Sequence, residues 1–123
     1  MKRFAVMAAA ATLAFAVSAQ ADEAKYGGQV KKIGNYEGEL VVKGSDVLLY
    51  VIKDHKPMQP TGNMAAAVKL FVNNAESSVE LKPSGDKLAG KAGAPLSGAV
   101  RAMATLSEGG KEVGKAQYSL TAK

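Results

Sequence analysis

The chain contains no cysteine, no tryptophan and a single histidine. Without thiols it has no disulfides and no thiolate nucleophile, so stability must come from apolar burial and backbone pairing. Aromatic residues make up only 6% of the sequence. Past the first 21 residues they are Tyr26, Tyr36, Tyr50, Phe71 and Tyr118, which predicts a core of Val, Leu, Ile and Ala. Catalysis has little to work with. The lone His55 has no Gly-x-Ser-x-Gly neighbour to serve as base, so a nucleophile triad is not expected. Glu37 and Glu39, two apart on one strand face, read as a solubility device on a solvent-facing edge rather than an acid/base pair. The sequence is read as that of a non-enzyme.

Charge of one sign is also scarce. The 16 cations and 11 acids give a net charge of +5. The cations past residue 21 are scattered singly apart from Lys31-Lys32, with Glu37, Glu39, Asp46, Glu76 and Glu80 among them. No stripe tracks a phosphate backbone, and nucleic acid is not expected as a partner. Long apolar runs are limited to residues 4–17. Lys2 and Arg3 precede that run and Ala19-Gln20-Ala21 follows it. This is the pattern of a cleavable export signal, and the run is too short to span a bilayer stably. The expected organisation is a signal-peptide helix over residues 1–21 and one domain over residues 22–123, located in the periplasm and off the membrane after cleavage. Removing residues 1–21 takes away Lys2 and Arg3 and no acid, so the net charge falls from +5 to +3.

What the chain does have is glycine: all 13 lie after residue 21, between short apolar stretches, where they mark turns. Between the turns residues alternate with a period of two. Tyr36, Gly38, Leu40 and Val42 share one face, and Glu37, Glu39 and Lys43 the other. Val47-Leu48-Leu49-Tyr50-Val51-Ile52 is apolar on both faces, as in a central strand whose second side is covered by chain or partner. In residues 64–72, Ala65-Ala66-Ala67 favours helix. Ala66, Val68, Leu70 and Val72 alternate against Ala67, Lys69 and Phe71, and the stretch reads as strand. Strands also follow around Val79 and Leu81, over residues 87–91, from Val100 to Leu106, and, after a turn at Glu108-Gly109-Gly110-Lys111, through Ala116, Tyr118 and Leu120. Seven or eight short strands predict an all-β fold, an antiparallel immunoglobulin-like β-sandwich. A small β-barrel is the alternative, because both bury one face of each strand.

His55 lies in Asp54-His55-Lys56-Pro57-Met58-Gln59-Pro60-Thr61-Gly62-Asn63-Met64, a loop rich in Pro and Gly. A neutral imidazole with two thioethers suits a soft ion, copper as Cu(I) or silver as Ag(I). His55, Met58 and Met64 are therefore the candidate metal ligands. The competing reading makes Met64 a core residue at a strand end, since it shares the parity of Val68 and Leu70, and His55 a solvated loop residue. Met103 lies opposite Val100, Ala102 and Ala104 and is expected to be half-covered. Tyr26-Gly27-Gly28 reads as a flexible entry to the first strand rather than a ligand contact.

Gly27-Gly28-Gln29-Val30, Tyr36-Glu37-Gly38-Glu39-Leu40-Val41-Val42, Val47-Leu48-Leu49-Tyr50-Val51, Asp54-His55-Lys56-Pro57 and Val79-Glu80-Leu81-Lys82-Pro83-Ser84-Gly85-Asp86-Lys87-Leu88 occur in a familiar order. Over residues 26 to about 90 the chain resembles small exported bacterial proteins similar to the soluble N-terminal domain of heavy-metal efflux periplasmic adaptor subunits. The resemblance implies a periplasmic β-sandwich that binds or senses metal ions, an envelope efflux protein as partner, and no catalytic role. Relatives often carry His before the paired glycines. Here Tyr26 stands in that place, leaving His55 and Met58 as the matching positions. The reading is a periplasmic accessory protein for soft-metal handling, with an ion-free structural or protein-interaction module of the envelope as the alternative.

Overall fold

The computed structural model describes residues 24–123. The export signal, its helix and the cut before Asp22 lie outside the described residues. Where apolar residues alternate, strands form, and the described residues hold nine: β1 (Gln29–Ile33), β2 (Tyr36–Lys43), β3 (Asp46–Lys53), β4 (Lys56–Pro57), β5 (Met64–Val72), β6 (Ala75–Ser84), β7 (Lys87–Lys91), β8 (Gly98–Glu108) and β9 (Lys111–Ala122). Every pairing is antiparallel, in the order β1-β2-β3-β7-β6-β5-β8-β9, with β4 beside β3. The all-β antiparallel architecture expected from the period-two pattern is the one observed. Residues 64–72 are a strand, because burying Met64, Ala66, Val68 and Leu70 on one face outweighs the helix preference of three alanines.

Sandwich and barrel descriptions meet in β6. Its residues 75–81 pair with β5 and residues 82–84 pair with β7, so one strand passes from one half of the sheet to the other. The far side nearly closes too. Lys123 N–H donates to the Val42 carbonyl and Gly44 N–H to the Lys123 carbonyl, both at 2.9 Å. Ser119 N–H donates to Gln29 Oε1 at 2.7 Å. Both halves share one core, with Leu40, Leu49, Leu70, Leu81, Leu88 and Leu106 all fully buried. Its aliphatic make-up is the one foreshadowed by the shortage of aromatics.

The turns hold the register. Asp54-His55, Asn73-Asn74 and Gly109-Gly110 each have positive φ at both central residues, and each is flanked by paired strand residues, which is the type I′ geometry that matches strand twist.

Candidate functional site

The second apolar face of residues 47–52 is covered by the chain itself. Register places Val30, Glu39 and Tyr50 in one outward row, with Lys32, Glu37, Ile52 and Pro57 in the next. Residues 24–28 cross this face as a strap, held by Glu39. Glu39 Oε1 accepts the Lys25 N–H at 2.8 Å, and Oε2 accepts those of Tyr26 at 2.8 Å and Gly28 at 2.9 Å. Glu39 is 1% exposed, the one buried charged residue among the described residues. A carboxylate withdrawn from water is tolerated only when its lone pairs are met, and three charge-assisted bonds meet them here. Glycine at 28 permits the approach, because a Cβ there would collide with the Leu40 carbonyl oxygen.

The strap lays Tyr26 flat on Tyr50, ring centroids 3.7 Å apart and planes within 10°. Lys87 Nζ sits 5.7 Å from the Tyr50 ring centre and pairs with Asp86 Oδ1 at 3.0 Å. Burial pushes the Tyr50 hydroxyl pKa up, with the nearby Lys87 ammonium opposing. Between the strap and the β3–β4 hairpin lies a groove of about 220 Å³. Tyr26 and Lys25 form one wall, His55 and Pro57 the other, and Tyr50 and Ile52 the floor.

His55 reaches this groove through its turn. Its φ is 65° and that of Asp54 is 53°. Among the three type I′ turns, His55 is the only central residue other than Gly, Asn or Asp. A β-carbon in left-handed backbone costs about 1 kcal/mol relative to glycine.

The residues singled out as metal ligands sit in different surroundings. Met64 opens β5 and is 2% exposed, facing the core with Ala66, Val68 and Leu70 because it shares their parity. Met58 is half-buried against that core, its N–H donating to the Val51 carbonyl at 2.9 Å. His55 is on the outer face, beside Tyr26, Tyr50 and Glu39. Among the described residues no group of three or more His, Asp or Glu side chains is placed to hold a metal.

Two sequence readings need correction. Glu39 is not a solubilising edge residue but a buried clasp, because the strap removes its face from water. Gly28 is not simply a flexible entry but a close backbone contact. The signal for both was the second apolar face formed by Leu48, Tyr50 and Ile52, which required a cover. Comparison with protein-family models, with curated proteins and with solved structures finds no match.

Proposed function

We propose that this protein is a non-enzymatic binding module of the bacterial envelope, exported by the signal read over residues 1–21, that works through the groove between strap and hairpin. Glu39 carries this reading. An apolar side chain would serve burial alone at least as well as a carboxylate. The charge is instead directed at the three amides that fix the strap, which is the wall of the groove. The stacked tyrosines make that wall flat and rigid, so little ordering opposes capture. Ile52 and Pro57 offer apolar contact, and Lys25 supplies positive charge beside them. That combination suits one planar or apolar side chain of an envelope partner, flanked by acidic residues. The resemblance read in the sequence of residues 26 to about 90 is the ground for taking a metal-exporting pump subunit as that partner.

A soft ion is the second reading, favoured by His55 and Met58 standing at the tip and just past the end of the same hairpin. Cu(I) or Ag(I) would use these two donors, Met64 being in the core. Cross-linked capture from periplasmic extract, with and without chelator, separates the readings when run beside Tyr26→Ala, His55→Ala and Met58→Ala. A specific protein held under chelator and lost in Tyr26→Ala supports the interaction module. Capture that needs Cu(I), with calorimetric heats that vanish in His55→Ala and Met58→Ala, supports the ion. Equal capture and equal heats in every variant overturn both.

A further inference from the structure

A second surface lies across the strand order from the groove, on the outward face of β6, β5, β8 and β9. Register sets out its rows. Glu76, Phe71, Arg101 and Ser119 form one, and Ser78, Lys69, Met103 and Gln117 the next. Phe71 is 39% exposed, one of two exposed large hydrophobic residues among the described residues; the other, Tyr26, belongs to the groove already described. Around Phe71 and Met103 runs a shallow depression of about 720 Å³, bordered by Asn73, Glu76, Arg101 and Gln117. A phenyl ring, a half-covered thioether and a guanidinium side by side are the residue types enriched at interface centres.

The charge on this face is unbalanced. These two rows carry Lys69 and Arg101 against the one acid Glu76, a net charge of +1. Glu76 on β6 lies 3.8 Å from Lys69. That leaves Arg101 with no ion pair among the described residues. A guanidinium offers a fixed fork of donors matched to a carboxylate, and here the fork stands next to an apolar ring.

We infer that this face docks an extended acidic segment of a partner protein, with a carboxylate on Arg101 and an aromatic or aliphatic side chain over Phe71 and Met103. An acid two residues from the apolar side chain places both on one side of an extended backbone. The surface is independent of the strap groove and of what binds there.

The test is a heteronuclear NMR titration of the 15N-labelled protein with the blocked peptide Ac-Asp-Ser-Phe-Ser-Asp-NH2 and its counterpart with Asn for both Asp. The expected result is saturable shifts centred on the amides of Phe71, Arg101, Met103 and Gln117, with a Kd of about 1 mM. Arg101→Gln and the Asn peptide should each weaken binding about tenfold, the loss of one charge-assisted contact. Arg101→Lys, which keeps the charge and loses the fork, should fall between. Gly93→Ala, a change outside both sites where a Cβ meets open space, should leave the titration unaltered. Several outcomes overturn the proposal: no saturable shift by about 10 mM peptide, equal binding of the Asn peptide, or shifts centred on Tyr26 and Tyr50. Dilution-dependent shifts of the same amides without peptide would assign the face to a second copy. Perturbation by phosphatidylglycerol vesicles with none by peptide would assign it to lipid. Either result also overturns it.

Discussion

Left-handed backbone at His55 sets stability against the groove. Glycine at that position would adopt φ near 65° without a β-carbon clash, so His55→Gly should raise stability by about 1 kcal/mol. The change would appear as a higher urea midpoint at unchanged m-value. Asn74→Gly, at the equivalent turn position with φ 69°, should gain less, because asparagine tolerates this region. A gain at His55 together with loss of partner capture identifies a residue retained for the groove. A fall in stability would show that the imidazole's own contacts hold the turn. Glu39 gives the opposite sign. Glu39→Gln keeps one acceptor oxygen and brings two amide donors where three backbone donors already converge. It should destabilise by about 2 kcal/mol, with faster hydrogen exchange at the amides of Tyr26 and Gly28.

Among the elements, the strap depends on the absence of a single carbon atom. Gly28→Ala puts a Cβ against the Leu40 carbonyl, and the segment must lift from β2. The expected loss is about 2 kcal/mol, with the Tyr26–Tyr50 stack broken, measured by urea unfolding and near-ultraviolet circular dichroism. Gly93→Ala is the control, since a Cβ at Gly93 meets open space, and it should stay within about 0.5 kcal/mol. The same elements show what the sequence could and could not reveal. Strand faces were legible wherever one side is buried: Val68 and Leu70 in β5, and Val100 to Leu106 in β8, carry the alternation. The hand-over of β6 from β5 to β7 was not legible. A strand's own pattern shows which side faces the core and not which neighbour it meets. The burial of Glu39 is not legible for a related reason: a carboxylate on an alternating strand is ordinarily solvated, and only the folding back of residues 24–28 reverses that. The Asp54-His55 turn is not legible either, because its central pair lacks the glycine that announces a type I′ hairpin.

At the scale of the whole molecule, two tyrosine hydroxyls tie together strands that are not neighbours. Tyr118 on β9 donates to the Gly38 carbonyl on β2 at 2.8 Å, and Tyr36 on β2 donates to Glu108 Oε1 on β8 at 3.1 Å. Both hydroxyls resist ionisation. Burial holds the Tyr118 pKa well above the usual tyrosine range. Burial, and then the bond to the Glu108 carboxylate, raises that of Tyr36. A folded-state pKa above the unfolded one means that the unfolded chain releases its protons first, near pH 10. These contributions are therefore fully present below about pH 10 and fall away as pH climbs beyond it. Urea midpoints taken at increasing alkaline pH should be steady with respect to these groups at first and then decline. Tyr118→Phe should flatten part of that decline while costing about 1 kcal/mol near neutrality through the lost bond. Tyrosinate absorbance checks the mechanism directly. Tyr118, the hydroxyl that burial holds most strongly, should remain protonated until the sheet opens, so its absorbance step and the loss of far-ultraviolet β signal should coincide. Ionisation of Tyr118 near pH 10, with the β signal intact, would mean that the near-closed sheet holds without this hydroxyl tie.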